Sequence, residues 1–219
     1  MYAACRFPES LPFVTRVAQA RGSILPLTPA GTAAIAGVDI ATAANPRLDC
    51  RPTNILFDWT FETDINRITQ TESEIKMVYG SMGIERTIHL GEREHPKTVA
   101  PSLAGHSIGR WENDVLVVDT VGFKPGVLSA DTSTMHSDAL HVVERFSLDG
   151  DKGALRREYV AVDPKYFTGE YRGADTVLVS DLPYEAPSCD DRSYVSGKET
   201  SAGAQPAPAP AKPWWMFWK

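Results

Sequence analysis

The sequence lacks any apolar run that approaches the roughly 20 residues needed for a membrane-spanning helix. It also lacks an excess of positive charge, because 22 Lys and Arg residues are outnumbered by 28 Asp and Glu residues, for a net charge of −6. The basic residues are scattered and do not cluster on one face, so a nucleic-acid partner is not expected. At 219 residues, 42% of them hydrophobic, the chain is long enough for one globular domain with tails.

Several catalytic motifs are missing as well. No Gly-rich phosphate loop follows a predicted strand and no GxSxG motif occurs, so neither a nucleotide cofactor nor an α/β hydrolase is supported. The 5 histidines and the acidic residues offer enough ligands for a metal ion, but HxH, HExxH and cupin-type spacings are absent. We therefore expect no resident metal ion and no other cofactor.

Cysteine is scarce, with 3 residues in the chain and no CxxC or Cys/His zinc spacing among them. One interpretation treats Cys5, Cys50 and Cys189 as unrelated thiols. The other pairs Cys50 with Cys189 in a disulfide that ties the start of the domain to its end, as export would allow. The sequence leaves both interpretations open.

Composition divides the chain into an Ala/Pro-rich N-terminal arm (1–48), a β-rich domain (49–200) and a Pro/Ala linker with an aromatic tail (201–219). In the arm, Thr28 as N-cap and Pro29 at the first helical position predict one short helix. The tail ends in WWMFWK. We expect these aromatic residues to dock on the protein or on another copy in a homo-oligomer, and contact with a membrane surface is the alternative.

The domain is predicted to be all-β. Short turns between strand-length runs favour antiparallel neighbours, and no helix of crossover length separates the runs. We expect a small antiparallel barrel, resembling those of lipocalins and allene oxide cyclases, or a strongly curved sheet; a two-sheet sandwich is the alternative. Residues 122–138 are predicted to be a long irregular loop. The predicted strands are NILFDWTF (54–61), INRITQT (65–71), EIKMVYG (74–80), IERTIHL (84–90), HSIGRWE (106–112), VLVVDTV (115–121), ALHVVERFSL (139–148) and ALRREYVAV (154–162).

Four stretches of the sequence form a distinctive ordered pattern: RTIHLGEREHP (86–96), GHSIGRWENDVLVVDTVGF (105–123), HSDALHVVERF (136–146) and VDPKYFT (162–168). Together they resemble a family of uncharacterised bacterial proteins, many of which are exported. The resemblance implies a β-rich domain and a periplasmic or exported location, but it supplies no activity. The first residues, MYAACRFPES, lack the basic and apolar regions of a signal peptide.

A predicted hairpin supplies the first candidate site. With a two-residue turn at Glu112 and Asn113, where Asn tolerates a positive φ, His106 lies opposite Asp119. A carboxylate across from an imidazole can orient it as a general base. A three-residue turn would place Asp119 on the other face. The alternative interpretation is an exposed cross-strand pair that contributes a few tenths of a kcal/mol.

The second candidate cluster lies at the end of the long loop and in the strand that follows it. His136, Ser137 and Asp138 are expected either at a pocket mouth or as a turn cap. Glu144 falls in an otherwise apolar row, where desolvation raises the pKa of a carboxyl and makes it a candidate proton donor. A structural ion pair with Arg86 or Arg110 is the alternative for Glu144.

These residues lead to one functional hypothesis and two alternatives. The hypothesis is a cofactor-independent lyase, isomerase or cyclase that binds a small, partly apolar molecule inside the barrel. The alternatives are a non-enzymatic small-molecule binding protein and an envelope interaction module. The catalytic candidates are His106, Asp119, His136 and Glu144, and the substrate-binding candidates are Tyr79, Arg86, Arg110, Trp111, Asp138 and His141. Tyr79 and Trp111 are expected as core or pocket-wall aromatics rather than as catalytic groups.

Overall fold

The computed structural model describes residues 10–14, 25–38, 46, 51–60, 65–79, 83–129, 134–150 and 153–179. Within these residues the chain forms eleven β-strands and one short α-helix, so the predicted all-β class is confirmed. The predictions for the three cysteines and for the aromatic tail lie outside the described residues. No helix in the described part of the chain has both the length and the apolarity to cross a membrane.

The helix and strands follow in chain order. The helix α1 (Pro29–Ile35) begins as predicted, with the Thr28 side chain accepting a hydrogen bond from the Gly31 amide at 3.0 Å. The strands are β1 (Ser10–Val14), β2 (Ile65–Gln70), β3 (Glu74–Val78), β4 (Glu85–His89), β5 (His106–Glu112), β6 (Val115–Val121), β7 (Gly126–Ser129), β8 (Thr134–His136), β9 (His141–Asp149), β10 (Ala154–Val162) and β11 (Tyr171–Val179).

Eight of the strands form one strongly curled sheet in the order β11-β10-β9-β6-β5-β4-β3-β2. Strand β1 pairs with β2 over five residues and with β11 over two, and this pairing closes the sheet into a barrel. The N-terminal arm therefore contributes a strand to the sheet. The remaining strands, β7 and β8, form a separate hairpin, so the segment predicted as an irregular loop contains regular structure.

The sheet departs from a simple meander at one place. Strands β4 and β5 are parallel, with Ile88 beside Ser107, and the chain connects them through residues 90–105. The prediction of purely antiparallel neighbours is wrong here. Strand β11 is also absent from the predicted set, although it pairs with β10 along eight residues.

The segment predicted as the strand NILFDWTF is instead a turn followed by a 3-10 helix (Asp58–Thr60). Local side-chain hydrogen bonds explain the difference, because they compete with strand pairing. The Asn54 side chain accepts hydrogen bonds from the amides of Leu56 and Phe57, and the Asp58 carboxylate accepts one from the Thr53 amide at 2.6 Å.

This turn segment packs among the inward-facing side chains of the barrel. Trp59 lies edge-on to Tyr79 and Phe146, with ring centroids 5.1 and 5.9 Å apart. The carbonyls of Ile55 and Leu56 accept hydrogen bonds from buried Arg157. The interior of the barrel is therefore occupied by protein side chains near these residues.

Candidate functional site

The hairpin formed by β5 and β6 turns one residue later than predicted, with Asn113 in the left-handed region at φ 55°. His106 consequently lies opposite Val121, and Asp119 lies opposite Ile108. The predicted direct opposition of His106 and Asp119 is wrong. The offset is two residues along the strand, however, so both side chains stay on one face of the sheet.

The inner face carries a buried ionic network in which Glu144 is central. Glu144 accepts hydrogen bonds from Arg86 at 2.5 Å and from Arg157 at 3.4 Å. Arg157 also pairs with Asp175 at 2.5 Å. Two guanidinium groups thus balance two carboxylates, and none of the four side chains is more than 3% exposed. The structural ion pair of Glu144 with Arg86 is confirmed.

Neutral side chains complete this inner network. Arg86 donates to Ser107 at 2.9 Å and to Thr120 at 2.8 Å, and the two hydroxyl oxygens lie 3.0 Å apart. Burial raises the pKa of Tyr79 to about 12. Burial also raises the pKa of Asp175, although Arg157 opposes this shift. The inner network is buried and its main donors have partners, which is typical of polar groups that stabilise a fold.

The outer face of the same strands carries a cluster of imidazoles and carboxylates around Asp119. One oxygen of Asp119, Oδ1, lies 2.8 Å from Nε2 of His141 and 3.0 Å from Nε2 of His95. The side chains of His141, Asp119 and His95 are 41%, 28% and 19% exposed. Solvent therefore reaches this group, in contrast to the inner network.

The cluster continues from His95 toward the end of β4. Nδ1 of His95 lies 2.9 Å from Nδ1 of His106, whose Nε2 lies 3.4 Å from Glu92. The His106 ring stacks on His89 with centroids 5.1 Å apart. Partial burial lowers the pKa of His106; the Glu92 carboxylate opposes this shift, and His95 and His89 reinforce it. We call these six residues, His89, Glu92, His95, His106, Asp119 and His141, the outer cluster.

The segment 90–105 places Glu92 and His95 in this cluster. Its far end is held by hydrogen bonds from the Ser102 amide to the Gly122 carbonyl and from the Lys124 amide to the Ser102 carbonyl, at 3.1 and 2.8 Å. Gly122 has φ +75°, and a Cβ there would lie 2.4 Å from the Val99 side chain. A glycine is required at this position, because the segment packs directly against the backbone.

The other predicted site residues lie elsewhere. His136 is buried, its Nδ1 lies 3.1 Å from the Ser137 carbonyl, and burial lowers its pKa. Ser137 accepts from the Ala139 amide, as the turn-cap interpretation expects. Asp138 is exposed and pairs with Lys165. Arg110 and Trp111 lie further along β5, where Arg110 pairs with Glu112 and Trp111 packs against the core.

The structure thus brings six of the predicted residues together in two separate groups and leaves the others elsewhere. His106, Asp119 and His141 share the outer cluster, whereas Glu144, Arg86 and Tyr79 face inward. The four catalytic candidates do not converge on one cavity, because strand alternation divides His106 and Asp119 from Glu144.

Sequence reasoning misses Glu92 and assigns no roles to His89 and His95. A signal is present, because the stretch HLGEREH carries two histidines and two glutamates within seven residues at the end of a strand. This stretch matches none of the common metal-binding or catalytic motifs. Its position next to His106 and Asp119 arises from the fold.

Comparisons of the chain with protein-family models, with curated proteins and with solved structures gave no significant match. The resemblance of the four sequence stretches to exported bacterial proteins, and the location that it implies, therefore stay predictions.

Proposed function

We propose that the chain is an enzyme that performs general acid–base chemistry, as a lyase or isomerase does, on a small, partly apolar molecule at the outer cluster. The observation that carries this proposal is the pair formed by Asp119 and His141. The carboxylate orients the imidazole at 2.8 Å, and the imidazole is 41% exposed. An exposed base held by a buried or half-buried carboxylate is the arrangement that proton abstraction requires.

The protonation of the pair follows from its geometry. An ionised carboxylate only accepts hydrogen bonds, so Nε2 of His141 carries the proton that it donates to Asp119. Neutral His141 then has its lone pair on Nδ1, the nitrogen that does not contact Asp119. His141 replaces His106 as our candidate for the general base, and Asp119 keeps the orienting role predicted for it.

The surroundings of Asp119 support a partly apolar substrate. Ile108 on β5 and Val143 on β9 lie directly opposite Asp119 on either side, and both are half-buried. A ligand that contacts these side chains would lie over Asp119 and beside His141. Apolar walls with a few fixed polar groups are typical of small-molecule sites.

The outer location replaces the barrel interior as the proposed site. The non-enzymatic alternative, in which the barrel binds a small molecule inside it, needs space between the inward-facing side chains. Trp59, Tyr79 and Phe146 pack there against one another, and Arg86 and Glu144 are fully paired. These contacts favour a reaction site on the outer face over ligand binding inside the barrel.

A general-base probe tests the proposal without knowledge of the natural substrate. In 5-nitrobenzisoxazole a base removes the ring C–H proton, the N–O bond breaks, and a coloured cyanophenolate forms. The full chain should accelerate this reaction beyond an equal concentration of free imidazole. His141→Ala should lower the rate by about 10²- to 10⁴-fold. Asp119→Asn should lower it less, because the base itself remains.

Arg145→Ala is the matched control, because Arg145 lies on the same face of β9, is exposed and pairs with Glu112 rather than with the outer cluster. Its rate should equal that of the unmodified chain. A rate that is unchanged in His141→Ala contradicts the proposal.

A further inference from the structure

Three residues at one end of the outer cluster bring potential metal ligands together. Nδ1 or Nε2 of His89, a carboxylate oxygen of Glu92 and a ring nitrogen of His106 all lie within 4.8 Å of one another. We propose that His89, Glu92 and His106 bind a divalent transition-metal ion of the zinc class. This proposal does not rest on the acid–base function, because it concerns a different set of side chains.

The ligand separations agree with the size of such a site. Nε2 of His106 lies 3.4 Å from Glu92 Oε2, and Nδ1 of His89 lies 3.7 Å from Glu92 Oε1. A tetrahedral zinc ion with bonds of about 2.0–2.2 Å holds neighbouring ligand atoms about 3.3–3.5 Å apart. The two separations between a histidine nitrogen and a Glu92 oxygen are therefore within a few tenths of an ångström of those in a zinc site, and all three side chains offer ligand atoms within 4.8 Å of one another.

The hydrogen-bond chain from Asp119 fixes which nitrogen of His106 is free. Asp119 accepts from Nε2 of His95, so neutral His95 has its lone pair on Nδ1. Nδ1 of His106, at 2.9 Å, must then donate to it. Neutral His106 consequently presents the lone pair of Nε2 to the Glu92 carboxylate, and two acceptors face each other. A cation between them removes this conflict.

The same chain supplies the supporting contacts that metal-binding histidines usually have. A ligating imidazole generally donates its second N–H to a carboxylate or another acceptor, which fixes the tautomer and raises the basicity of the ligand. His106 does so through His95 to Asp119. Asp119 therefore supports both the proposed metal ligand on one side and His141 on the other.

The fold explains why the three ligands meet. The parallel pairing of β4 and β5 places His89, the last residue of β4, diagonally next to His106, the first residue of β5. The segment 90–105 follows β4 and brings Glu92 next to these two histidines. The backbone of both strands is fixed by the sheet, so two of the three ligands stand on rigid elements.

Two imidazoles and one carboxylate leave a position for water on a four-coordinate ion. Such sites are typical of catalytic rather than closed structural metal centres. The side chains of His89 and Glu92 are 37% and 43% exposed, so solvent can reach this position. A metal-bound water at this site would provide a second proton-transfer group beside the Asp119–His141 pair.

Zinc binding by the full chain tests the proposal directly. The cysteines are first alkylated, and the metal-free, untagged protein is then titrated with Zn²⁺ in competition with a chromophoric chelator. Glu92→Gln and His106→Ala should each weaken binding by at least about 100-fold, because each removes a direct ligand. Glu94→Gln is the matched control, since Glu94 is an exposed carboxylate in the same segment and should bind like the unmodified chain.

Cobalt absorption and far-ultraviolet circular dichroism complete the test. Co²⁺ in a four-coordinate site gives intense visible bands, which Glu92→Gln should lose while its dichroism spectrum stays that of the folded chain. Equal zinc affinity in the unmodified chain, Glu92→Gln and His106→Ala overturns the metal site. His141→Ala should keep zinc binding while losing the benzisoxazole reaction, so failure of the metal site and failure of the acid–base proposal are distinguishable.

Discussion

The inner and outer faces of the same four strands carry polar residues with opposite properties. Because side chains alternate between the two faces of a strand, each of these strands contributes one residue to the inner face and one to the outer face. The inner residues are fully buried and paired with opposite charge or hydroxyl groups, whereas the outer residues are partly exposed and are linked by hydrogen bonds and ring contacts. Facing inward on β4, β5, β6 and β9 are Arg86, Ser107, Thr120 and Glu144, and facing outward are His89, His106, Asp119 and His141.

This difference indicates which polar groups serve the fold and which are available for chemistry. A buried ion pair resists any change of charge, because one unpaired ion in the interior costs several kcal/mol. In the outer cluster, solvent reaches the side chains, so a change of charge costs less there than in the interior. We infer that stability depends mainly on the inner network and reactivity on the outer cluster. Substitutions on each face test this division.

The largest effect on stability is expected for Glu144→Gln. It leaves Arg86 and Arg157 buried with one carboxylate fewer, and breaking a buried pair in this way costs about 3–5 kcal/mol. The free energy of unfolding from urea denaturation measures the loss. Glu158→Gln, an exposed glutamate on β10, should change this free energy by less than about 0.5 kcal/mol. A loss below about 1 kcal/mol for Glu144→Gln would mean that the inner network is not structural.

Removal of both charges should cost less than removal of one. In the double variant Arg86→Met, Glu144→Leu the remaining pair of Arg157 and Asp175 is still balanced, and buried pairs replaced by apolar residues often lose little stability. The double variant should therefore be more stable than the sum of the single variants predicts, by about 0.5–3 kcal/mol. Additive losses in the same urea experiment would show that the two side chains are not coupled.

His136 should make the fold sensitive to acid. Burial lowers its pKa below 6.5 in the folded state, so the unfolded state binds more protons as the pH falls. The stability is fully present above pH 6.5 and is lost as the pH falls through the lowered folded-state pKa. Each tenfold weakening of proton binding by folded His136 corresponds to about 1.4 kcal/mol of this loss. His136→Leu should remove this part of the slope, measured as unfolding free energy against pH. An identical slope in both proteins would contradict the expectation.

The smallest effect on stability is expected on the outer face. His141→Ala removes a partly exposed side chain whose hydrogen bond to Asp119 is reached by solvent, so the unfolding free energy should change by less than about 0.5 kcal/mol. The same variant should lose the general-base reaction. A large loss of stability in His141→Ala would instead assign the outer cluster to the fold and remove the contrast between the two faces.

Local patterns in the sequence predict which side chains share a face of a strand, because that depends only on the alternation of side chains along the strand. They place the row that contains Glu144 on one face of its strand, and they place His106 and Asp119 on a shared face. Both expectations hold because the side-chain period of a strand is fixed by its backbone. The N-cap of α1 at Thr28 is predictable for a similar reason, since capping is a local interaction.

Features that depend on distant contacts are not predictable from the sequence. The parallel pairing of β4 with β5 brings His89 and the 90–105 segment to His106, and no local pattern encodes that pairing. The hairpin turn at Asn113 shifts the register by two residues, which local turn preferences do not resolve. The apolar run at 54–61 does not form a strand, because the side chains of Asn54 and Asp58 accept local hydrogen bonds that outweigh its strand propensity.

The most direct test of the central claim, that Asp119 organises a proton-sharing cluster on the outer face, is the tautomeric state of its histidines. Two-bond ¹H–¹⁵N correlation spectra of histidine-labelled protein distinguish Nδ1–H from Nε2–H, and single-histidine variants assign the signals. In the metal-free protein, well above the ordinary imidazole pKa of 6.5, we expect Nε2–H for His95 and His141 and Nδ1–H for His106. An Nδ1–H tautomer at His95 or His141, or rapid averaging of both tautomers at all three, would contradict it.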